Sequence, residues 1–216
     1  KNAAMKNQIL QALFAFVLVL SPIARAAEPA PRDSVKLLTI GNSFADNSTR
    51  YLPALSEAGG KKLTLFKANL GGHSFQQHAG YMNAFEANPG DPKGRPYGQK
   101  TDPLTKERTG GVSLREALQR DAWDIVTIQQ VSHLSPQYGT YQPYADQLIA
   151  YIRQYAPQAR ILIHETWPYP ADCARYQDPK TPYLKDPETM YQNLKASYGR
   201  LSSENGLGMV AASSST

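Results

Sequence analysis

One cysteine, Cys173, stands among 216 residues. That excludes an intramolecular disulfide framework and any cysteine-rich zinc site. Charge is also sparse, at 19% of residues, and the formal net charge of +5 overstates it. Lys1, Lys6 and Arg25 lie in the first 26 residues with no acid beside them, which leaves +2 for the 190 residues that follow. Those residues hold no dense Lys/Arg run, so nucleic acid is a poor candidate partner. Nor are the four histidines, His73, His78, His133 and His164, spaced as metal ligands. His73 and His78 are five apart, which does not suit one helix face, and His164-Glu165 has no spaced partner, so no metal is expected. With 41% hydrophobic residues the composition is ordinary for a globular chain and supports one domain.

The N-terminus reads as an address. Met5-Lys6 leads into a largely apolar run, Ile9 to Leu20, followed by Ser21-Pro22 and Ala24-Arg25-Ala26. A basic start, a short apolar stretch, a breaker and an Ala-x-Ala site make residues 1–26 a secretory signal peptide, and the expected location is secreted or periplasmic. The run is short for a bilayer span, so membrane contact is expected only in transit. Lys1 to Ala4 precede Met5, the expected initiator, and read as upstream sequence. Residues 27–34 form a Pro/Ala-rich linker, and residues 35–216 the domain.

Within the domain, strand and helix alternate. Short apolar runs at Val35–Ile40, Leu63–Leu70, Asp124–Gln130 and Arg160–His164 predict strands, with a fifth beginning at Leu207. Helices are predicted from about Thr49 to Ala58, over His73–Ala87 and Ser113–Arg120, from Tyr141 to Ile152, and from Met190 to Leu201. Residues 88–111, thick with Pro and Gly, read as a long excursion with a hairpin turn at Thr101-Asp102-Pro103. This rhythm argues for a parallel sheet sandwiched by helices, in which ligands sit beyond the carboxyl ends of the strands.

Those ends carry the chemistry. The first is Gly41-Asn42-Ser43-Phe44: a serine between strand and helix is exposed, although the tripeptide alone is better read as a helix cap. The second, Gly71-Gly72-His73-Ser74, lets backbone approach a ligand and offers an N–H to an oxyanion, or is simply a turn. The third, Gln129-Gln130-Val131-Ser132-His133, sets two amides where a core would be apolar. The fourth, His164-Glu165-Thr166-Trp167-Pro168-Tyr169, supplies an aromatic wall.

In this order the four blocks resemble the SGNH (GDSL-like) hydrolase superfamily, and most closely a branch whose first block is Gly-Asn-Ser-Phe in place of Gly-Asp-Ser-Leu. The branch's Gly-Gly-x-Ser block is matched at Gly71–Ser74, its Trp-Asp strand ending in Gln-Gln-x-Ser at Trp123–Ser132, and its His-x-Thr-Trp-x-Tyr loop at His164–Tyr169. The resemblance implies a three-layer α/β/α, flavodoxin-like fold with a mainly parallel sheet. It also implies a serine ester hydrolase, by extension a carbohydrate deacetylase, that needs no metal or organic cofactor. Ser43 would be the nucleophile. Its N–H, the N–H of Gly72 and an amide of Gln129 or Gln130 would form the oxyanion hole. Trp167, Tyr169 and His164 would meet a small-molecule or carbohydrate ester. The superfamily takes its base from a late Asp-x-x-His block, and no Asp-x-x-His occurs here. The expectation is a chain whose C-terminal part, carrying the base, is missing, with weak or no activity as it stands. The alternatives are a saccharide-binding protein on the same scaffold or an inactive fragment.

Overall fold

The computed structural model describes residues 33–98, 100–101, 108–109 and 111–211, and the expected signal peptide and most of the linker lie outside them. Strand β1 (Ser34–Gly41) opens the domain, one residue inside the expected linker, and is followed by helices α1 (Ser43–Ser48) and α2 (Leu52–Ala58). Then come β2 (Lys62–Asn69), α3 (Phe75–Ala87), two short strands β3 (Lys100–Thr101) and β4 (Arg108–Thr109), and α4 (Leu114–Gln119). The chain continues through β5 (Ile125–Ile128), α5 (Tyr144–Tyr155), β6 (Arg160–His164), α6 (Pro187–Asn205) and β7 (Gly208–Val210). Five strands form one parallel sheet in the order β2-β1-β5-β6-β7. This is the parallel sheet flanked by helices that the alternation predicts, and the α/β/α, flavodoxin-like fold that the resemblance implies.

Strand alternation divides the sheet into two unlike faces. Leu38, Ile40, Val126, Ile128, Ile161 and Ile163 join α3, α4, α5 and α6 in one buried cluster. Trp123 lies within it, 1% exposed, and its indole N–H donates to the Ala117 carbonyl at 3.0 Å. The other face carries Leu37, Thr39, Ile125, Thr127, Leu162 and His164, and meets Ser48 of α1, Thr49 after it and Leu52 of α2 across a groove of about 250 Å³. At its β7 end, Val210 is 44% exposed. Hydroxyls of Thr39 and Thr127 are buried there without a partner.

Local chemistry sets the helix ends. Ser74 with Gln77 and Ser113 with Glu116 form capping boxes that start α3 and α4. Asp186 caps α6, Pro187 takes its first position, and Gly206 ends it at φ +62°. Two expected helices need correction. The helix expected from about Thr49 starts three residues later, at Leu52, with Pro53 in its first turn, and a separate short helix, α1, precedes it over Ser43–Ser48. Tyr141 belongs to the turn before α5, not to the helix, although it is fully buried.

The excursion after α3 folds back on that helix. Gly94 lies so close to Phe85 that a Cβ there would stand 2.6 Å from the Phe85 nitrogen and Cα. Backbone cannot yield as a side-chain tip can, so Gly94→Ala is expected to cost about 2–3 kcal/mol, read as a fall of several degrees in Tm. An unchanged Tm would show that the excursion is free to move off α3. Beyond it, β3 and β4 pair antiparallel, Lys100 with Thr109 and Thr101 with Arg108. The expected turn at Thr101-Asp102-Pro103 lies past Thr101 outside the described residues.

Candidate active site

Ser43 is exposed at the first position of α1, directly beyond β1. The cap is Asn42, not Ser43: the Phe44 N–H donates to Asn42 Oδ1 at 3.1 Å. Asn42 is 1% exposed, and its Nδ2 donates to the Gln130 carbonyl at 3.1 Å and the His73 carbonyl at 3.4 Å. One buried amide therefore ties the end of β1 to the loops after β2 and β5. This draws the Ser43, Gly72 and Gln129-Gln130 segments together. Nothing in a Gly-Asn-Ser tripeptide announces that role.

Gly72 turns at φ +72°, a left-handed conformation that favours glycine. Neither its N–H nor that of Ser43 donates a hydrogen bond among the described residues. Two unengaged backbone donors at adjoining strand ends are the groups an oxyanion needs.

The two glutamines separate cleanly. Gln130 is fully buried, its Oε1 accepts from the Phe75 N–H at 2.9 Å and the Val131 N–H at 3.0 Å, and its Nε2 donates to the Thr140 carbonyl and hydroxyl at 3.1 and 3.2 Å. With both amide protons engaged, Gln130 is a brace rather than a free donor, which removes it from the oxyanion set. Gln129 is equally buried, yet neither amide atom has a partner. Its side chain lies against Gly41, where an added Cβ would come within 3.2 Å of Gln129 Cβ. A buried amide with no partner is costly unless a ligand completes it.

The aromatic wall adjoins Ser43. The Phe44 ring stands 4.4 Å from that of Trp167 and 6.3 Å from that of Tyr169, which meets it edge-on. Tyr169 shares a hydrogen bond of 2.7 Å with the Ser132 hydroxyl, and burial raises its phenol pKa. His164 departs from this grouping. Strand alternation turns it into the groove with Leu162 and Thr127, not into the aromatic rim, and burial lowers its pKa to about 4.

His78 is the feature that spacing alone concealed. It is fully buried, with Nε2 3.0 Å from the Gly41 carbonyl and Nδ1 2.8 Å from the Tyr97 hydroxyl. A carbonyl only accepts, so Nε2 carries the hydrogen and Nδ1 receives the tyrosine proton. Burial lowers its pKa to about 4, against the partial support of the Gly41 carbonyl, with neighbouring His73 lowering it further. His73 is likewise engaged, Nδ1 with the Gly71 carbonyl and Nε2 with the Tyr81 hydroxyl, both at 2.9 Å. No histidine among the described residues is hydrogen-bonded to Ser43, and no group of three or more His, Cys, Asp or Glu there could hold a metal ion.

Two buried neutral histidines make stability pH-dependent. Their folded pKa values near 4 lie below the ordinary 6.5, so the unfolded chain takes up protons first as pH falls. Stability is full above 6.5 and is lost on descent towards 4, by up to about 3 kcal/mol per histidine. Tm should fall over that window, and His78→Gln, which keeps a donor for the Gly41 carbonyl, should flatten the fall. A slope unchanged in His78→Gln would show that His78 accepts a proton freely in the folded protein.

The architecture has solved counterparts. A DUF4886 family protein from Bacteroides uniformis ATCC 8492 aligns at 25% identity and a TM-score of 0.65 over 82% of this chain and 66% of its own. The chain thus spans just under two thirds of that relative's length. A candidate SGNH hydrolase from Slackia heliotrinireducens shares the fold at 22% identity and a TM-score of 0.52, over 82% of this chain and 78% of its own. No curated protein matches the chain. A family model described as "Domain of unknown function (DUF4886)" matches residues 36–214, and the chain belongs to that family.

Proposed function

We propose that this protein is an exported serine ester hydrolase of the SGNH type, acting on acylated carbohydrate. Ser43 Oγ attacks the acyl carbonyl, the oxygen gains charge, and the N–H groups of Ser43 and Gly72 with the Gln129 amide receive it. The alcohol departs, leaving an acyl group on Ser43, and water releases it. The observation that carries this reading is the Asn42 clamp, which gathers an exposed serine, two unengaged N–H groups and an unpartnered buried amide at one end of the sheet. Phe44, Trp167 and Tyr169 give that end aromatic faces suited to the C–H faces of a sugar.

A serine hydroxyl needs a neighbouring base, and none of the four histidines bonds to Ser43. By the family resemblance the base is assigned to an Asp-x-x-His segment outside these 216 residues. Because no histidine among the described residues is hydrogen-bonded to Ser43, the second reading for the 216 residues taken alone is saccharide binding without turnover. Hydrolysis of an aryl acetate separates the two. Residues 27–216 should turn over little or none, and the gene product extended past Thr216 should turn it over readily. Robust Ser43-dependent turnover by the shorter chain would overturn the assignment of the base, and an inert extended protein would overturn the hydrolase.

A further inference from the structure

The rim beyond Tyr169 is chemically one-sided. Arg175, in the turn over Ala174–Gln177, is exposed and places its guanidinium 5.7 Å from the centroid of the Tyr169 ring. That ring meets Phe44, the neighbour of Ser43, and its hydroxyl bonds Ser132. The guanidinium's field also reaches the end of β5. His133 resists protonation first because it is half-buried and second because Arg175 is near. Arg175 thus lies on the same rim as the candidate nucleophile, one aromatic ring further out.

No carboxylate among the described residues forms an ion pair with it, whereas Arg95, Arg115 and Arg200 each pair with a glutamate. Nearby acids are engaged with backbone: Asp178 accepts from the Lys180 N–H at 2.8 Å, and Asp186 accepts from the N–H and hydroxyl of Thr189, both at 2.7 Å. Asp172 is exposed. A guanidinium held over an aromatic ring keeps its planar fork of donors free at one edge, which matches a carboxylate. The hydrogen-bonded pair of Ser132 and Tyr169 hydroxyls leaves one proton to donate beside it.

We propose that Arg175, with Ser132 and Tyr169, forms an anion subsite, and that the substrate is an ester of a carboxylate-bearing sugar, an acylated uronoside. The inference rests on the hydrolase reading for the place of the acyl group and adds the charge of the sugar. The sugar stacks on the aromatic rim, its acyl group reaches Ser43, and its carboxylate meets Arg175.

The test is made on the Ser43→Ala protein, so that binding is read without turnover. A mono-O-acetylated methyl galacturonoside and the matching galactoside are titrated at low salt by NMR chemical-shift perturbation. The uronoside should bind about tenfold tighter, an advantage that shrinks with added salt. Arg175→Gln should erase the advantage and leave Tm unchanged, because the side chain is exposed. Equal affinities, a preference that survives Arg175→Gln, or binding of neither sugar would each overturn the subsite. Failure here is separable from failure of the hydrolase reading, which is decided by Ser43-dependent turnover and not by sugar charge. A protein active through Ser43 yet indifferent to the carboxylate loses only this inference.

Discussion

Ser43→Ala, in a protein extended past Thr216 by the proposed base-bearing segment, should lower kcat for an aryl acetate by three orders of magnitude or more, with Tm unchanged. The size follows from what the hydroxyl does: without a nucleophile the acyl-enzyme cannot form, and only binding and oxyanion stabilisation remain. The constancy of Tm follows from where it sits. Ser43 is exposed, its hydroxyl makes no hydrogen bond among the described residues, and the helix cap belongs to Asn42. Alanine keeps the backbone N–H, so the oxyanion donors survive the substitution. A loss of about tenfold or less would remove Ser43 from the chemistry. A matching fall in Tm would make it a structural residue.

Asn42→Asp should be the most destabilising single-atom exchange at this end of the sheet, costing about 3 kcal/mol at neutral pH. The aspartate keeps the cap on the Phe44 N–H but replaces the donor Nδ2 with an oxygen that faces the carbonyls of Gln130 and His73. A charge buried at 1% exposure against two acceptors is unfavourable, so the carboxyl pKa rises in the folded state. The variant should recover part of its deficit in mild acid, where a protonated carboxyl donates again, and lose it as pH rises past the ordinary carboxylate range. Asn42→Ala, which loses the cap and the donor without adding charge, should show a smaller deficit from the parent protein, one that does not change with pH. The contrast bears on the first block itself. The Gly-Asp-Ser-Leu pattern carries an acid at this position, and the carbonyls around Asn42 explain why this chain carries an amide. A Tm for Asn42→Asp equal to that of the parent protein would break the clamp argument.

Much of this arrangement is readable without coordinates. The apolar runs locate all five sheet strands because a parallel sheet buries both faces of its central strands, and Arg160–His164 is found to the residue. The rule that ligands gather beyond strand ends then singles out Ser43, Gly72 and the glutamine pair. Helix α1 escapes because six residues hold too little of a 3.6-residue period. Tyr141 is drawn into α5 because its spacing fits the apolar face, yet the chain turns between them. Gln129 and Gln130 look alike in sequence because alternation guarantees only that they face opposite ways. Which one is braced depends on Phe75 and Thr140, both distant in sequence or direction. His78 is hidden for the same reason: its partners, Gly41 and Tyr97, come from a strand and an excursion that only the fold brings together. His164 is misplaced when it is read with Trp167, because the strand ends between them and the aromatic pair turns away with the loop.

The central proposal is that Ser43, held at the strand end that Asn42 clamps, is the nucleophile of an ester hydrolase. Intact-mass and peptide mapping of the protein extended past Thr216, after reaction with a fluorophosphonate, tests it most directly. The account predicts one adduct per chain, located on Ser43, absent in Ser43→Ala and slowed by prior incubation with an acetylated saccharide. An adduct on another serine, or an extended and folded protein that takes up no phosphonate at all, would contradict it.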